Sequence, residues 1–292
     1  MLQKNIETFI GCDAEYEDAA VVLYGAAFDS TTSFRPGTRF GSRAVRSESF
    51  GLETYSPYQD KDLTDYAVFD SGDPELCIGD AKIALAQLEE RAEQIFSDGK
   101  IPFMIGGEHL VTLAAVRAAV RRYPDLRILH FDAHADLRQD YLGAQLSHAC
   151  VLRRCWELVG DGKIYQFGIR SGDREEFLWS REGHVFMHPF DLNGLEKALE
   201  EMKGHPVYVT VDLDVLDPSI FPGTGTPEAG GVSFLELLNS ILMVCRKADI
   251  VGCDVNELCP AYDPTGVSTA VAGKIIREFL IGLCAGIEEK KA

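Results

Sequence analysis

Short apolar runs rich in β-branched residues punctuate the chain, and longer stretches with helical spacing lie between them. The runs occupy residues 20–24, 102–105, 127–132, 163–167, 206–212 and 249–254. Runs this short, bounded by Gly, Pro or charged residues, predict buried strands. Residues 80–97, closed by Gly99, and residues 109–123, 234–247 and 267–283 space their apolar positions as amphipathic helices do. Strands alternating with helices predict a parallel sheet covered by helices on both faces. In such sheets ligands gather beyond the carboxyl ends of the strands. No repeat and no Pro/Ser-rich linker interrupts the pattern, so residues 1–292 read as a single α/β domain.

Composition narrows the classes. Hydrophobic residues make up 46% and charged residues 25% of 292 positions, enough to build a sizeable core. The formal net charge of −18 argues against a duplex nucleic-acid binder, which needs a basic face. It suits a small cationic partner only weakly, because most of that charge is a solvated surface. The eight cysteines form no C-x-x-C pair, which disfavours a zinc ribbon or a thioredoxin-like site. The first residues turn acidic without an apolar stretch, and no run is long enough to span a bilayer. A cytoplasmic enzyme with reduced cysteines is the expectation.

The chemistry sits just after the apolar runs. In Ile128-Leu-His-Phe-Asp-Ala-His-Ala-Asp136, the residues Asp132, His134 and Asp136 recur every second position. Side chains two apart on extended backbone point the same way. Asp212 and Asp214 repeat the spacing after the run 206–212, and His109 follows Gly106-Gly107 at the start of a helix. Each piece alone is often a turn, a cap or a packed residue; the joint pattern is far more specific. Four carboxylates in one pocket would repel and partly protonate unless cations were present. Two divalent ions held by four Asp oxygens and two imidazoles would balance them. That sulfur-free set suits Mn2+, and also Fe2+, Co2+ or Mg2+.

Three of these motifs, GGEHL (106–110), DAHAD (132–136) and DLDVLDP (212–218), resemble the metal-binding signatures of the arginase/agmatinase (ureohydrolase) family, in the family's order. The likeness runs from Tyr24 to the last helix. It implies a three-layer α/β/α fold on a mostly parallel sheet of about eight strands. It implies His109 and Asp136 on one metal, His134 and Asp214 on the other, and Asp132 and Asp212 bridging both. The segments 28–41 and 221–231 resemble loops of the agmatinase branch, although by composition they are ordinary Gly/Pro-rich turns. Arg35, Arg39, Arg43 and Arg46 are expected in structural or intersubunit ion pairs.

Glu257 occupies the place of the family's guanidinium-binding carboxylate, and a carboxylate can accept paired hydrogen bonds from a planar guanidinium. His148 matches the family's proton-transferring histidine, with a solvated helix-start residue as the alternative. His130 reads as a core histidine. The implied reaction is hydrolysis of agmatine to urea and putrescine by a metal-bridging hydroxide, in a homo-oligomer that is trimeric or hexameric. Arg138 stands where arginases carry an Asn that reads the amino-acid end of arginine. An arginine there would suit an anionic tail, so a guanidinobutyrase is the alternative, and a non-catalytic metal-binding relative is a remoter one. Phosphoesterase motif order and a G-x-S-x-G elbow are both absent.

Overall fold

The apolar runs pair side by side in one sheet. The computed structural model describes residues 2–291. Its strands are β1 (Val21–Gly25), β2 (Tyr55–Ser56), β3 (Lys61–Asp62), β4 (Val68–Asp70), β5 (Ile101–Ile105), β6 (Arg127–Phe131), β7 (Ile164–Ile169), β8 (Phe186–Pro189), β9 (Pro206–Asp212) and β10 (Asp249–Asn256). Its helices are α1 (Gly41–Ser49), α2 (Ala81–Ser97), α3 (Thr112–Arg122), α4 (Val151–Val159), α5 (Arg174–Arg181), α6 (Leu195–Glu201), α7 (Phe234–Lys247) and α8 (Val267–Lys291). Eight strands form the order β4-β1-β5-β10-β9-β6-β7-β8, and β2 and β3 make a separate small hairpin. Every neighbouring pair in the large sheet is parallel.

Alternation along the strands divides the core in two. Val21, Leu23, Phe103, Ile105, Val209 and Val211 pack on one face with side chains of α1, α6, α7 and α8. Val22, Tyr24, Met104, Ile128 and Tyr208 pack on the other with α2, α3 and α4, joined by Phe177 and Trp179 of α5. The result is the arginase-like α/β arrangement expected above: helices, parallel sheet, helices. Helix starts are fixed locally. The Asp80 carboxylate accepts from the backbone of Lys82 and Ile83, and Ser233 with Glu236 closes a reciprocal capping box at α7.

Candidate metal centre

The four central strands β5, β10, β9 and β6 lie next to one another, and each ends in or leads into residues of the proposed site. β5 runs through Gly106-Gly107 into a single 3-10 turn, His109–Val111, ahead of α3. Neither glycine can carry a Cβ: at Gly106 it would lie 1.7 Å from Asn256 Oδ1, and at Gly107 2.0 Å from the Phe28 carbonyl. β9 delivers Asp212, and β10 delivers Asn256 and then Glu257.

β6 differs from the sequence reading. It stops at Phe131, so Asp132, His134 and Asp136 do not converge by strand alternation. A turn brings them together. Asp132 Oδ1 accepts the His134 N–H at 2.6 Å, and Asp212 Oδ1 accepts the Asp214 N–H at 2.9 Å in the same manner. Asp136 then takes a left-handed backbone, with φ at 54°. Its carbonyl accepts the N–H groups of Leu152 and Arg153 at the start of α4, which hold that conformation. Glu257 is likewise left-handed, at 68°. Such backbone is uncommon for residues other than glycine and costs about 1–3 kcal/mol, so two of the candidate site residues carry local strain.

The donors form two adjoining groups. His109 Nδ1 lies 3.0 Å from Asp132 Oδ2, 3.2 Å from Asp136 Oδ2 and 3.4 Å from Asp212 Oδ2. His134 Nδ1 lies 3.0 Å from Asp214 Oδ2 and 3.5 Å from Asp132 Oδ1. Asp132 therefore turns one oxygen to each histidine. His109 Nδ1 is buried and has no hydrogen-bond partner. An imidazole nitrogen among three carboxylate oxygens offers, when unprotonated, a nitrogen donor beside oxygen donors, so this set fits divalent metal.

Burial is nearly complete: Asp132 is 0%, Asp136 6%, Asp212 3% and Asp214 1% exposed. Without a cation, burial first and neighbouring carboxylates second push Asp212 far above the ordinary range and Asp136 up to about 7. Glu257 is raised for the same reasons, through Glu108 and Asp214. Burial also acts against ionised Asp132, but His130, His109 and His134 outweigh it and hold that group low.

His130 is buried beside the site. Its Nε2 is 2.8 Å from Asp132 Oδ2, while its Nδ1 faces the amide of Gln166, which also donates to the Ala135 carbonyl. Its donor atoms could join His109 and Asp132 in a metal-binding group by distance alone. Both ring nitrogens are already engaged, so it serves as a hydrogen-bond donor to Asp132.

Beyond the candidate metal donors lies a cavity of about 210 Å³, lined by Ser33, His134, Asp136, Arg138, Tyr141 and His148 among others. His148 Nε2 accepts the Ser33 N–H at 3.3 Å and lies 2.9 Å from Ser33 Oγ. Burial and the nearby His134 and His109 push its pKa down to about 4, which keeps the ring neutral. The loop carrying Ser33 is pinned by buried Glu108, which accepts from the backbone and hydroxyl of Thr31 and the hydroxyl of Thr32. Arg39 pairs with Asp29, Arg46 with Asp70 and Asp73, and Arg35 donates to the Gly225 carbonyl across the two loops. Arg138 lies 3.0 Å from Asp173 and 3.6 Å from Glu176.

The structure thus gathers His109, Asp132, His134, Asp136, Asp212 and Asp214, with Glu257 buried beside His109 and His148 at the rim. Sequence reasoning missed Glu108, Arg170, Thr210 and Asp254. Arg170 donates to the carbonyls of Asp214, Val215 and Glu228, tying the second Asp motif to the 221–231 loop. Thr210 and Asp254 carried a signal: each is a polar residue inside an otherwise apolar strand.

The sequence profile of the arginase family matches residues 19–282. The chain belongs to the arginase family. An agmatinase of Bacillus subtilis (strain 168) is 46% identical over 278 residues, covering 94% of this chain and 96% of its own. A guanidinobutyrase of Pseudomonas aeruginosa is more distant, at 32% identity over 91% of this chain and 87% of its own. Among solved structures, the agmatine ureohydrolase of Thermoplasma volcanium superposes with a TM-score of 0.89 at 34% identity, covering 99% of this chain and 97% of that one. Among the described residues no helix is long and apolar enough to cross a membrane.

Proposed function

We propose that this member of the arginase family is an agmatinase, a metal-dependent amidinohydrolase that converts agmatine to urea and putrescine. The observation that carries the reading is Asp132, whose two oxygens face His109 and His134 separately, as a carboxylate shared by two ions must. His109 and Asp136 would hold one ion, His134 and Asp214 the other, and Asp132 and Asp212 would serve both, with Mn2+ the favoured metal for this oxygen-rich set. When bound, such a pair supplies a water acidified to a nucleophile near neutral pH and a Lewis acid for the transition state. The chain's own residues do the rest. Glu257, buried beside His109, orients the guanidinium through charge-assisted hydrogen bonds. Asp136 Oδ2 takes the proton given up by the attacking water and passes it to the leaving amine, and neutral His148 can exchange a proton at the rim only through Nε2, once the Ser33 N–H releases it.

Arg138 bears on the tail of the substrate. Its charge is already answered by Asp173 and Glu176, so it offers little to an anionic tail. The nearer similarity to agmatinases than to a guanidinobutyrase supports the same choice. A single domain spanning the chain, a cytoplasmic location, a trimeric or hexameric assembly and a place in putrescine formation go with this reading. The test is urea release from Mn2+-loaded protein given agmatine, 4-guanidinobutyrate and L-arginine in parallel. Preference for agmatine is expected; preference for 4-guanidinobutyrate would overturn the choice of substrate.

A further inference from the structure

β9 is apolar on one face and polar on the other. Val207, Val209 and Val211 enter one core cluster, whereas Thr210 and Asp212 follow Tyr208 on the opposite side. Thr210 Oγ1 lies 2.9 Å from His109 Nε2 and donates to Asp254 Oδ1 at 2.6 Å. Asp254 is fully buried, and it also accepts from the Tyr208 hydroxyl at 2.7 Å and from the Asn256 amide at 2.6 Å. Burial pushes the Asp254 carboxyl group above its ordinary range, and the hydrogen bonds from Thr210 and Tyr208 oppose that rise.

A hydroxyl has one proton to give. Thr210 spends it on Asp254, so its oxygen is left to accept from His109. The imidazole proton must then reside on Nε2. The lone pair at Nδ1 is left facing Asp132, Asp136 and Asp212. His134 has no equivalent support: its Nε2 is 3.9 Å from Glu228, whose side chain is 41% exposed.

We propose that Asp254, acting through Thr210, is a positioning residue that fixes His109 in the tautomer able to take a divalent ion at Nδ1. It thereby sets the affinity of the ion on the His109 and Asp136 side and leaves the His134 and Asp214 side unaffected. The inference rests on the metal centre proposed above. Hydrogen bonds that orient a ligating histidine commonly change metal affinity by about 10- to 100-fold when lost.

The experiment titrates Mn2+ into metal-stripped wild type, Thr210→Val, Thr210→Ser and Asp254→Asn against a competing chelator, with electron paramagnetic resonance distinguishing coupled from single ions. Wild type should take two coupled ions. Thr210→Val should keep one tight ion and bind the second about 10- to 100-fold more weakly, giving a single-ion spectrum. Thr210→Ser should restore both, and Asp254→Asn should follow Thr210→Val. If Asp254→Asn fails to fold, the Val and Ser pair decides alone. Two ions with wild-type affinity in Thr210→Val would overturn the positioning role only. Equal loss of both ions without rescue by Ser would overturn it too. No binding by wild type would overturn the metal centre and this inference together.

Discussion

Glu257 Oε1 accepts the backbone N–H of His109 at 2.7 Å. The residue proposed to hold substrate is thereby tied to the turn that presents a candidate metal-binding histidine. One oxygen is committed to the protein, which leaves the other for the guanidinium. A Gln at 257 can keep its carbonyl on the His109 N–H, but it then offers an amide donor to a substrate that is itself all donors. Glu257→Gln should retain both metals and lose roughly 100-fold or more in kcat/KM, as expected for removing a buried charged hydrogen-bond partner. Metal analysis beside steady-state kinetics checks this. Loss of both metals would place Glu257 among the ligands instead.

Asp132 and Asp212 each use Oδ1 to close a turn and Oδ2 to face His109. Removing either carboxylate takes away a group proposed to serve both ions. Asp132→Ala or Asp212→Ala should abolish urea release and reduce bound metal below two equivalents. Urea release at the wild-type rate from either variant would sink the two-metal assignment.

Arg138 stacks over Tyr141 as well as pairing with Asp173. A residue engaged on both sides orders the rim more than it selects a tail. Arg138→Ala should leave the order of preference among agmatine, 4-guanidinobutyrate and L-arginine unchanged, with agmatine turnover within about tenfold of wild type. Selective loss of activity towards 4-guanidinobutyrate would show instead that Arg138 reads a carboxylate.

Away from the site, Arg46 is buried between Asp70 and Asp73, and Asp70 is itself fully buried. Arg46→Met would leave Asp70 without its cation. The expected cost is about 3–5 kcal/mol, the penalty for stranding a buried charge. Urea-induced unfolding of the metal-loaded protein measures it. A loss below about 1 kcal/mol would mean that Asp70 finds another partner or a proton.

Legibility in the sequence followed the length and regularity of each element. β9 and α7 were bounded correctly, because an alternating Val-rich run and a Ser233/Glu236 capping box are both local signals. Edge strands β4 and β8 were not legible: they have three and four residues, and Phe186 and Pro189 of β8 are exposed. Helix α1 was missed because its sequence, GSRAVRSES, offers few apolar positions. The six metal-binding candidates were legible because their motifs are contiguous. The supporting contacts were not, because they join distant segments. Thr210 meets Asp254 only through the pairing of β9 with β10, and Gln166 meets His130 only through that of β6 with β7. The positive φ at Asp136 has no local signature, since a turn and a continuing strand both accommodate D-x-H-x-D.

The buried carboxyl groups also set a pH dependence that metal should reverse. In the metal-free chain Asp136 is raised to about 7, and Asp212 and Glu257 are raised as well. A carboxyl group whose pKa is raised by folding contributes stability that is fully present below its unfolded value of 3.8 for Asp, and that is lost as pH rises through the folded value. His109 and His134, raised by their carboxylate neighbours, act in the same sense above 6.5. Asp132 is lowered and opposes them, but its contribution disappears only in acid. The metal-free protein should therefore lose stability between about pH 5 and 8. Metal binds the deprotonated ligands, so its stabilisation should grow over the same interval. Thermal melts of stripped and Mn2+-loaded protein at pH 5, 6, 7 and 8 would measure the difference in Tm directly. A gap that widens with pH is the expected result. A gap of constant size would mean that these groups are ionised in the metal-free chain already, with some other cation or water network balancing their charge.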